Sequence, residues 1–347
     1  MLDRVDQRED RLALRAAVAP FEKPVLWHSV AQIVTSIGFY LVTVGLMYWS
    51  ISVSYALTVL LSFPAAAFLV RTFIVQHDCG HGSFFVSKRA NAVLGALCGV
   101  LTLAPYAHWR RQHAGHHAHW NNLDHRQSGA DIYSVCLTVA EYQALSPRRR
   151  FFYRLWRHPV MANLIFPPLV FLLLYRIPFD TPKAWVRERR SVWMTDIALA
   201  IVFGVLIVVF GSIDVVLVHL PIVVVTTTVG VWLFSIQHRF DDARWRRGDA
   251  WTFAEAALQG SSHLALPRAL HWLTGNIGFH HIHHLSPRVP NYRLAACHSS
   301  SAILQPAKPL LLDRALIACW LALWDEDRAK LVPFRDTNVR NPKNASV

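Results

Sequence analysis

The fold is decided by the stretch VWMTDIALAIVFGVLIVVFGSIDVVLVHLPIVVVTTTVGVWLFSI, residues 192–236. A helix needs about 20 apolar residues to cross the ~30 Å hydrocarbon core of a bilayer, and this stretch contains two such segments, 192–210 and 213–236. Two earlier segments, 30–48 and 55–75, meet the same criterion. The sequence therefore predicts four transmembrane helices in these ranges.

The composition agrees with a protein that is partly solvated by lipid. The 347 residues include 13 Trp and 19 Phe, and only 16% of them are charged, against about 25% in an average soluble protein. The formal net charge of +13 favours anionic lipid headgroups over nucleic acid, because the basic residues flank apolar spans and no nucleic-acid motif is present. The five cysteines show no C-x-x-C pairing, which favours a reducing compartment.

Two further apolar segments are interrupted. Residues 90–107 contain two glycines and Pro105, and residues 160–177 contain Pro167 and Pro168. Lipid-exposed backbone must satisfy its hydrogen bonds internally, so such broken segments are more typical of re-entrant or interfacial hairpins than of free spans.

Basic residues predict the orientation of the chain. Residues 1–27, 77–191 and 237–347 hold 5, 15 and 14 of the 35 Lys and Arg residues, whereas the loops near Ser52 and Ser212 hold none. By the positive-inside rule, both termini and the central region are expected in the cytoplasm. The one remaining arginine, at position 71, is expected to snorkel from its span to the interface.

The predicted organisation is an amphipathic cytosolic segment at 1–27, one domain at 28–335 and a C-terminal tail at 336–347. Leu310 to Trp324 is apolar but too short to span, so we expect there a helix that lies on the membrane or covers the domain.

Eight of the 19 histidines form three motifs: His77 and His81 in HDCGH (77–81), His113, His116 and His117 in HAGHH (113–117), and His280, His283 and His284 in HHIHH (280–284). Spacings of three and four residues direct side chains to one side of a helix. Neutral imidazole is a good ligand for zinc, copper, nickel and ferrous iron, and eight imidazoles exceed the four ligands of a zinc site. The motifs therefore predict two metal ions.

A single H-x-x-x-H spacing is commonly an accident on a helix. Three motifs that each lie on the cytoplasmic side of an apolar segment are much harder to explain in that way. The same support does not extend to His28, His158, His219 and His298, which we interpret as surface, interfacial or satisfied core groups.

The stretches HDCGHGSFF, WRRQHAGHH followed by NNLD, and GNIGFHHIHHLSPRVPNYRL resemble the membrane fatty acid desaturases, in particular a bacterial group similar to acyl-lipid omega-6 (delta-12) desaturases. The resemblance runs from about residue 27 to residue 335. It implies an all-α integral membrane protein with four transmembrane helices, re-entrant or interfacial helices and a cytoplasmic helical di-iron cap.

The resemblance also implies a set of metal ligands, two ferrous ions and dioxygen as co-substrate. The implied ligands are His77, His81, His113, His116, His117, His238, His280, His283 and His284. His281 is not among the implied ligands, and His119 is an alternative ligand to His113 in the second motif. In the animal acyl-CoA branch an asparagine stands where this chain has Phe234, and Gln237 or Asn276 are possible substitutes for it.

The implied reaction places a cis double bond in a lipid-linked acyl chain, with omega-6/delta-12 as the expected position. It needs two electrons from a separate ferredoxin or a cytochrome of the b5 kind, and it would take place at the cytoplasmic face of the cell membrane. Asp78, Asp124 and Asp131 are candidates for hydrogen bonds to ligating imidazoles, with helix caps or turns as the alternative for each.

Three other functions stay open on the sequence. A membrane di-iron hydroxylase or a carotenoid ketolase or hydroxylase would use the same motifs. A metal transporter belongs to a different class, and its histidines would be expected in flexible loops or within the spans.

Overall fold

The computed structural model describes residues 2–126, 135–305 and 308–339, and most of them are helical. The α-helices are α1 (Leu2–Val18), α2 (Leu26–Ile33), α3 (Phe39–Ile51), α4 (Tyr55–His81), α5 (Lys88–Leu101), α6 (Tyr106–His119), α7 (Val139–Ala144), α8 (Pro147–Arg157), α9 (Phe166–Leu172), α10 (Val186–Phe210), α11 (Ser212–His238), α12 (Phe253–Gly260), α13 (Arg268–Leu273), α14 (His280–Leu285), α15 (Asn291–Ser299) and α16 (Leu312–Ala318). One small sheet joins β1 (Leu137–Thr138), β2 (Leu323–Asp325) and β3 (Lys330–Val332), with β1 parallel and β3 antiparallel to β2.

Among the described residues four helices are long and apolar enough to cross a membrane: Leu26–Ile51, Tyr55–His81, Val186–Phe210 and Ser212–His238. The first consists of α2 and α3, which a π-helical turn joins into one helix. The predicted all-α membrane fold with four spans is confirmed. Each span is longer than its apolar segment, because backbone hydrogen bonding continues into the polar residues at its ends.

Glycines with positive φ end two of these helices. Gly82 (φ 72°) follows His81, and its turn is closed by the Ser83 N–H, which donates to the Asp78 carbonyl at 3.0 Å. Gly211 (φ 85°) alone separates α10 from α11. Both conformations are strained for residues with a Cβ, so these two turns depend on glycine.

The two interrupted segments form bent helix pairs. Helices α5 and α6 meet at 103°, and a Cβ at Gly95 would lie 2.3 Å from the Tyr106 ring, so the glycine permits this close packing. The second pair bends by 60° between Arg157 and Met161. That bend precedes the two prolines, which instead occupy the first turn of α9, where a missing N–H leaves no partner unsatisfied.

The segments after α11 form a cap over one end of the membrane helices. Leu14 and Val18 of α1 pack on Ile282 and Leu294 of the cap, so the N-terminal helix covers it. The expected C-terminal helix ends at Ala318 and exposes Leu316, whereas Leu323 is buried in β2.

Helices α4 and α11 pack side by side and end at the same side of the bundle, which brings His81 and His238 close to the cap. Arg71 of α4 is buried, and its guanidinium lies 4.1 Å from the centre of the Trp272 ring while it donates to the Trp272 carbonyl. The Arg71 side chain therefore ties α4 to α13.

Candidate metal centre

The five-histidine group lies where α4, α6 and α14 meet. It consists of His77, His81, His113, His117 and His283, whose candidate ligand atoms all lie within 4.8 Å of one another.

 His81 and His117 are half-buried, and the other three members are buried. The group therefore takes residues from all three sequence motifs.

The four-histidine group lies beside it and consists of His116, His238, His280 and His284. All four side chains are buried, and their candidate ligand atoms also lie within 4.8 Å of one another. His238 enters from the end of α11, outside the three motifs. All nine residues of the predicted ligand set are thus found in two adjacent groups.

Helical spacing explains how the motifs divide between the groups. Residues four apart lie on the same side of a helix, so His113 and His117 join one group while His280 and His284 join the other. His116 and His283 project about 100° away from their immediate neighbours, which carries each of them into the opposite group.

The imidazole nitrogens converge in a way that suits a cation. The Nε2 atom of His280 lies 3.1 Å from that of His238 and 2.9 Å from that of His284. A neutral imidazole carries a single N–H, so it cannot donate to both neighbours. Within the described part of the chain, the buried Nε2 atom of His81 has no hydrogen-bond partner. Convergent lone pairs of this kind fit metal ions, and imidazole donors suit iron, zinc or copper.

The protonation state agrees with ligation. Burial holds the pKa of His280, His283 and His284 well below its usual value, and the neighbouring imidazoles lower it further. These side chains are therefore neutral at neutral pH, which is the form that binds a metal.

A buried polar network holds the first motif. The Asp78 carboxylate accepts from Asn291 through its backbone N–H (2.7 Å) and its side-chain amide (2.8 Å), and its other oxygen lies 3.2 Å from Nδ1 of His77. Asn291 also exchanges two hydrogen bonds with Gln32 of α2. Because Nδ1 of His77 faces the carboxylate, Nε2 is left to face the five-histidine group.

Aromatic side chains pack against both groups. Trp109 stacks on His113 with ring centres 4.7 Å apart. Trp120 lies 4.2 Å from His284 and donates its indole N–H to the Ala256 carbonyl. Phe234, which stands where the animal acyl-CoA branch has an asparagine, has its ring centre 5.2 Å from that of His116.

Several other residues that the sequence analysis considered lie outside the two histidine groups. His119 contacts His125, and the buried His281 lies 3.0 Å from His298, which is half-buried. Asp124 binds Arg247 and the Gly248 N–H, so it closes a loop and does not contact an imidazole of either group. Asp131 lies outside the described residues.

Two residues were possible substitutes for the asparagine of the animal acyl-CoA branch. Gln237 donates to the Ile277 carbonyl at 3.4 Å and lines an apolar cavity beside the two groups. Asn276 instead donates to the Asn291 carbonyl at 3.3 Å, on the side of the polar network. Of the two, only Gln237 lies in the wall that faces the metal groups.

A cavity of about 330 Å³ adjoins both groups. His77 and His113 line it from one group, and His116 and His280 from the other. Its remaining wall is mainly apolar and comes from α4, α9, α11 and the segment after α9. An apolar cavity of this size with a few converging polar groups is typical of a small-molecule site.

Part of the cavity wall is polar, since Asp180 and Gln112 line it. Asp180 accepts from Gln112 at 2.8 Å and lies 3.2 Å from Nε2 of His108. The hydrogen bond with His108 lowers the pKa of Asp180, so the carboxylate is charged at neutral pH. Neither these residues nor the two tryptophans are among the site residues predicted from the sequence. Trp109 and Trp120 each lie four residues from a motif histidine, a helical spacing that could have predicted their contact with the groups. No sequence feature around Asp180 predicts its position.

Comparison with known proteins identifies relatives over most of the chain. A family model described as fatty acid desaturase matches residues 52–309. A fatty acid desaturase of Bacillus subtilis is 42% identical over 322 residues, which cover 93% of this chain and 90% of that protein. An sn-1 oleoyl-lipid 12-desaturase of Synechocystis is 29% identical and covers 67% of this chain and 64% of its own length. A second Synechocystis protein, an sn-1 acyl-lipid omega-3 desaturase (ferredoxin), is 28% identical over 76% of this chain and 74% of its own length.

Proposed function

The chain belongs to the fatty acid desaturase family, and on that premise we propose that it introduces a cis double bond into the acyl chain of a membrane lipid, using two iron ions. It is an oxidoreductase that acts on acyl chains with dioxygen. The observation that carries the proposal is the position of the two histidine groups, which both open on one apolar cavity.

An unactivated methylene C–H bond is beyond the reach of amino-acid acids and bases, so the oxidising power must come from bound metal and dioxygen. The residues that would hold the two irons are the five-histidine and the four-histidine groups. Two hydrogens leave adjacent carbons of the chain, and two electrons and two protons from outside complete the reduction of dioxygen to two waters.

The protein's own contribution is to hold the chain in place. The apolar walls of α4, α9 and α11 exclude water and keep the reacting carbons beside the two groups, which lowers the entropic cost of the reaction. The apolar wall between α4 and α11 suits the hydrocarbon of the chain.

The narrower form of the proposal is an omega-6/delta-12 position for the new bond. Its support is the similarity to relatives named as sn-1 oleoyl-lipid 12-desaturases. The electrons would come from a separate carrier such as a ferredoxin or a b5-type cytochrome, and relatives whose names include ferredoxin support the first.

The proposed location is the cell membrane, with the metal groups on the cytoplasmic side. We retain residues 28–335 as the catalytic domain, 1–27 as a cytosolic segment and 336–347 as a tail. New cysteines at the exposed loop positions Ser52 and Ser212 should react with an impermeant thiol reagent in intact cells, whereas one at Asp241, close to His238, should not. Labelling at position 241 from outside would reverse the proposed orientation.

Two measurements test the function. Protein purified anaerobically from iron-replete cells should contain about two irons per chain, as two separate imidazole groups predict. A host without desaturases of its own, supplied with a ferredoxin system, should gain a cis-unsaturated acyl chain when it expresses this protein. A hydroxylated chain, an oxidised carotenoid with unchanged lipids, or a tightly bound single zinc would each contradict the proposal.

A further inference from the structure

The deep end of the cavity lies within the membrane helices, and α11 forms one side of it. Gly230 lines the cavity there, and Thr226 and Thr227 line it one turn further from the metal groups. A Cβ at position 230 would have no heavy atom of the described residues within 4 Å. A side chain at this position would therefore project into open space.

The depth of Gly230 follows from helix geometry. It precedes His238 of the four-histidine group by eight residues, which is about 12 Å along α11 at 1.5 Å per residue. An extended hydrocarbon with C–C bonds of about 1.5 Å advances about 1.3 Å per carbon, so about nine carbons reach from the metal groups to Gly230.

The apolar surroundings decide which end of the substrate lies there. Val70 of α4 and Val231 of α11, each seven residues before a histidine of the groups, line the cavity at a depth similar to that of Gly230. The wall there is mostly apolar, with the Thr226 hydroxyl as a polar group that has no hydrogen-bond partner within the described residues. The hydrocarbon end of the chain therefore fits there better than the ester, whose oxygens would lack partners beside the valines.

We infer that Gly230 determines how far the methyl-side segment of the acyl chain extends past the metal groups, and hence the longest chain that is accepted. The inference rests on the proposed function, because it takes the cavity to hold the acyl substrate.

The test compares Gly230→Leu with Gly204→Leu. Gly204 is also an interior glycine of a membrane helix with open space around its Cβ position, but it faces outward from α10 and does not line the cavity. Both substitutions therefore give the same gain in helix propensity. Each variant is expressed in a host whose lipids carry saturated chains of 14 to 18 carbons, and the products are analysed by mass spectrometry for chain length and bond position.

We expect Gly230→Leu to lower the conversion of 18-carbon chains at least tenfold relative to 14-carbon chains, since one methylene in a tight pocket is worth about 10- to 200-fold. Gly204→Leu should keep the wild-type profile. Gly230→Ala should shift the profile in the same direction by about two- to fivefold, and it serves as the test if the leucine variant does not accumulate. An unchanged length profile, or an equal loss at every length with iron retained, would overturn the inference.

A lipid-binding measurement tests this inference independently of the proposed function. Purified proteins are titrated with phosphatidylglycerol that carries either two 14-carbon or two 18-carbon saturated chains. A selective loss of 18-carbon binding in Gly230→Leu supports the inference even if the wild type forms no alkene, an outcome that would refute the desaturase proposal alone. Equal binding of both lipids by both proteins would refute the inference even if the wild type desaturates.

Discussion

The two histidine groups differ in how the protein holds them. The five-histidine group is held through polar contacts, because His77 faces Asp78 and that carboxylate is bound to Asn291. Aromatic rings pack against both groups, because Trp109 stacks on His113 while Phe234 lies beside His116 and Trp120 beside His284. The buried carboxylate beside His77 is therefore the feature on which the comparison rests.

A carboxylate beside a ligating imidazole fixes its orientation and increases its basicity, which favours tight metal binding. We therefore expect Asp78 to strengthen metal binding by the five-histidine group, which contains His77.

The largest expected effect comes from removing one ligand of each group. His117→Ala and His284→Ala should each abolish measurable product and lower the iron content from about two to about one per chain or less, since each leaves an incomplete site. Iron analysis and lipid analysis of the same preparations measure both effects.

His298→Ala is the matched control, because this half-buried side chain contacts His281 and lies outside both groups. It should keep both irons and most of the activity. If His298→Ala lost as much iron as the other two variants, the division of the histidines into ligands and other residues would be wrong.

A smaller effect is expected from Asp78→Asn. It removes the charge beside His77 but preserves the shape of the side chain, and loss of such a partner typically costs about 10- to 100-fold in metal affinity or activity. Chelator titration followed by iron analysis should show that one of the two irons is lost first.

Asp124→Asn tests the same chemical change at an exposed position. Asp124 pairs with Arg247 on the surface, where solvent screens the interaction. Its metal content should equal that of the wild type. If both aspartate variants lost iron equally, the contact between Asp78 and His77 would not explain how the five-histidine group holds its metal.

The smallest effect is expected on the aromatic side. Trp120→Phe keeps a ring against His284 but removes the hydrogen bond to the Ala256 carbonyl, which corresponds to about 1 kcal/mol of stability. A few-fold loss of activity with both irons retained is the expected result. Iron loss as severe as in Asp78→Asn would show that the four-histidine group depends on its surroundings as much as its neighbour does.

Local patterns predicted much of the fold. Hydropathy located the four spans but placed the ends of three of them too early, at residues 48, 75 and 236, because apolar character stops before backbone hydrogen bonding does. The helices continue to Ile51, His81 and His238, and the last two of these extensions carry histidines of the metal groups.

The bend near Arg157 shows a different limit. The prolines at 167 and 168 marked a break, yet proline is tolerated in the first turn of a helix and the chain bends before them. Composition identified an interrupted segment, and packing decided where it bends.

By itself the sequence determined the membrane class, the family, the set of motif histidines and the pairs within each motif that share a helix face. These follow from hydropathy and helical periodicity, which act over a few residues. The tertiary structure decided which pairs join, since His117 meets His283 and His116 meets His238 only when α6, α11 and α14 converge. It also decided that Asp180 and Gly230, 50 residues apart in sequence, line the same cavity, because long-range packing leaves no trace in local spacing.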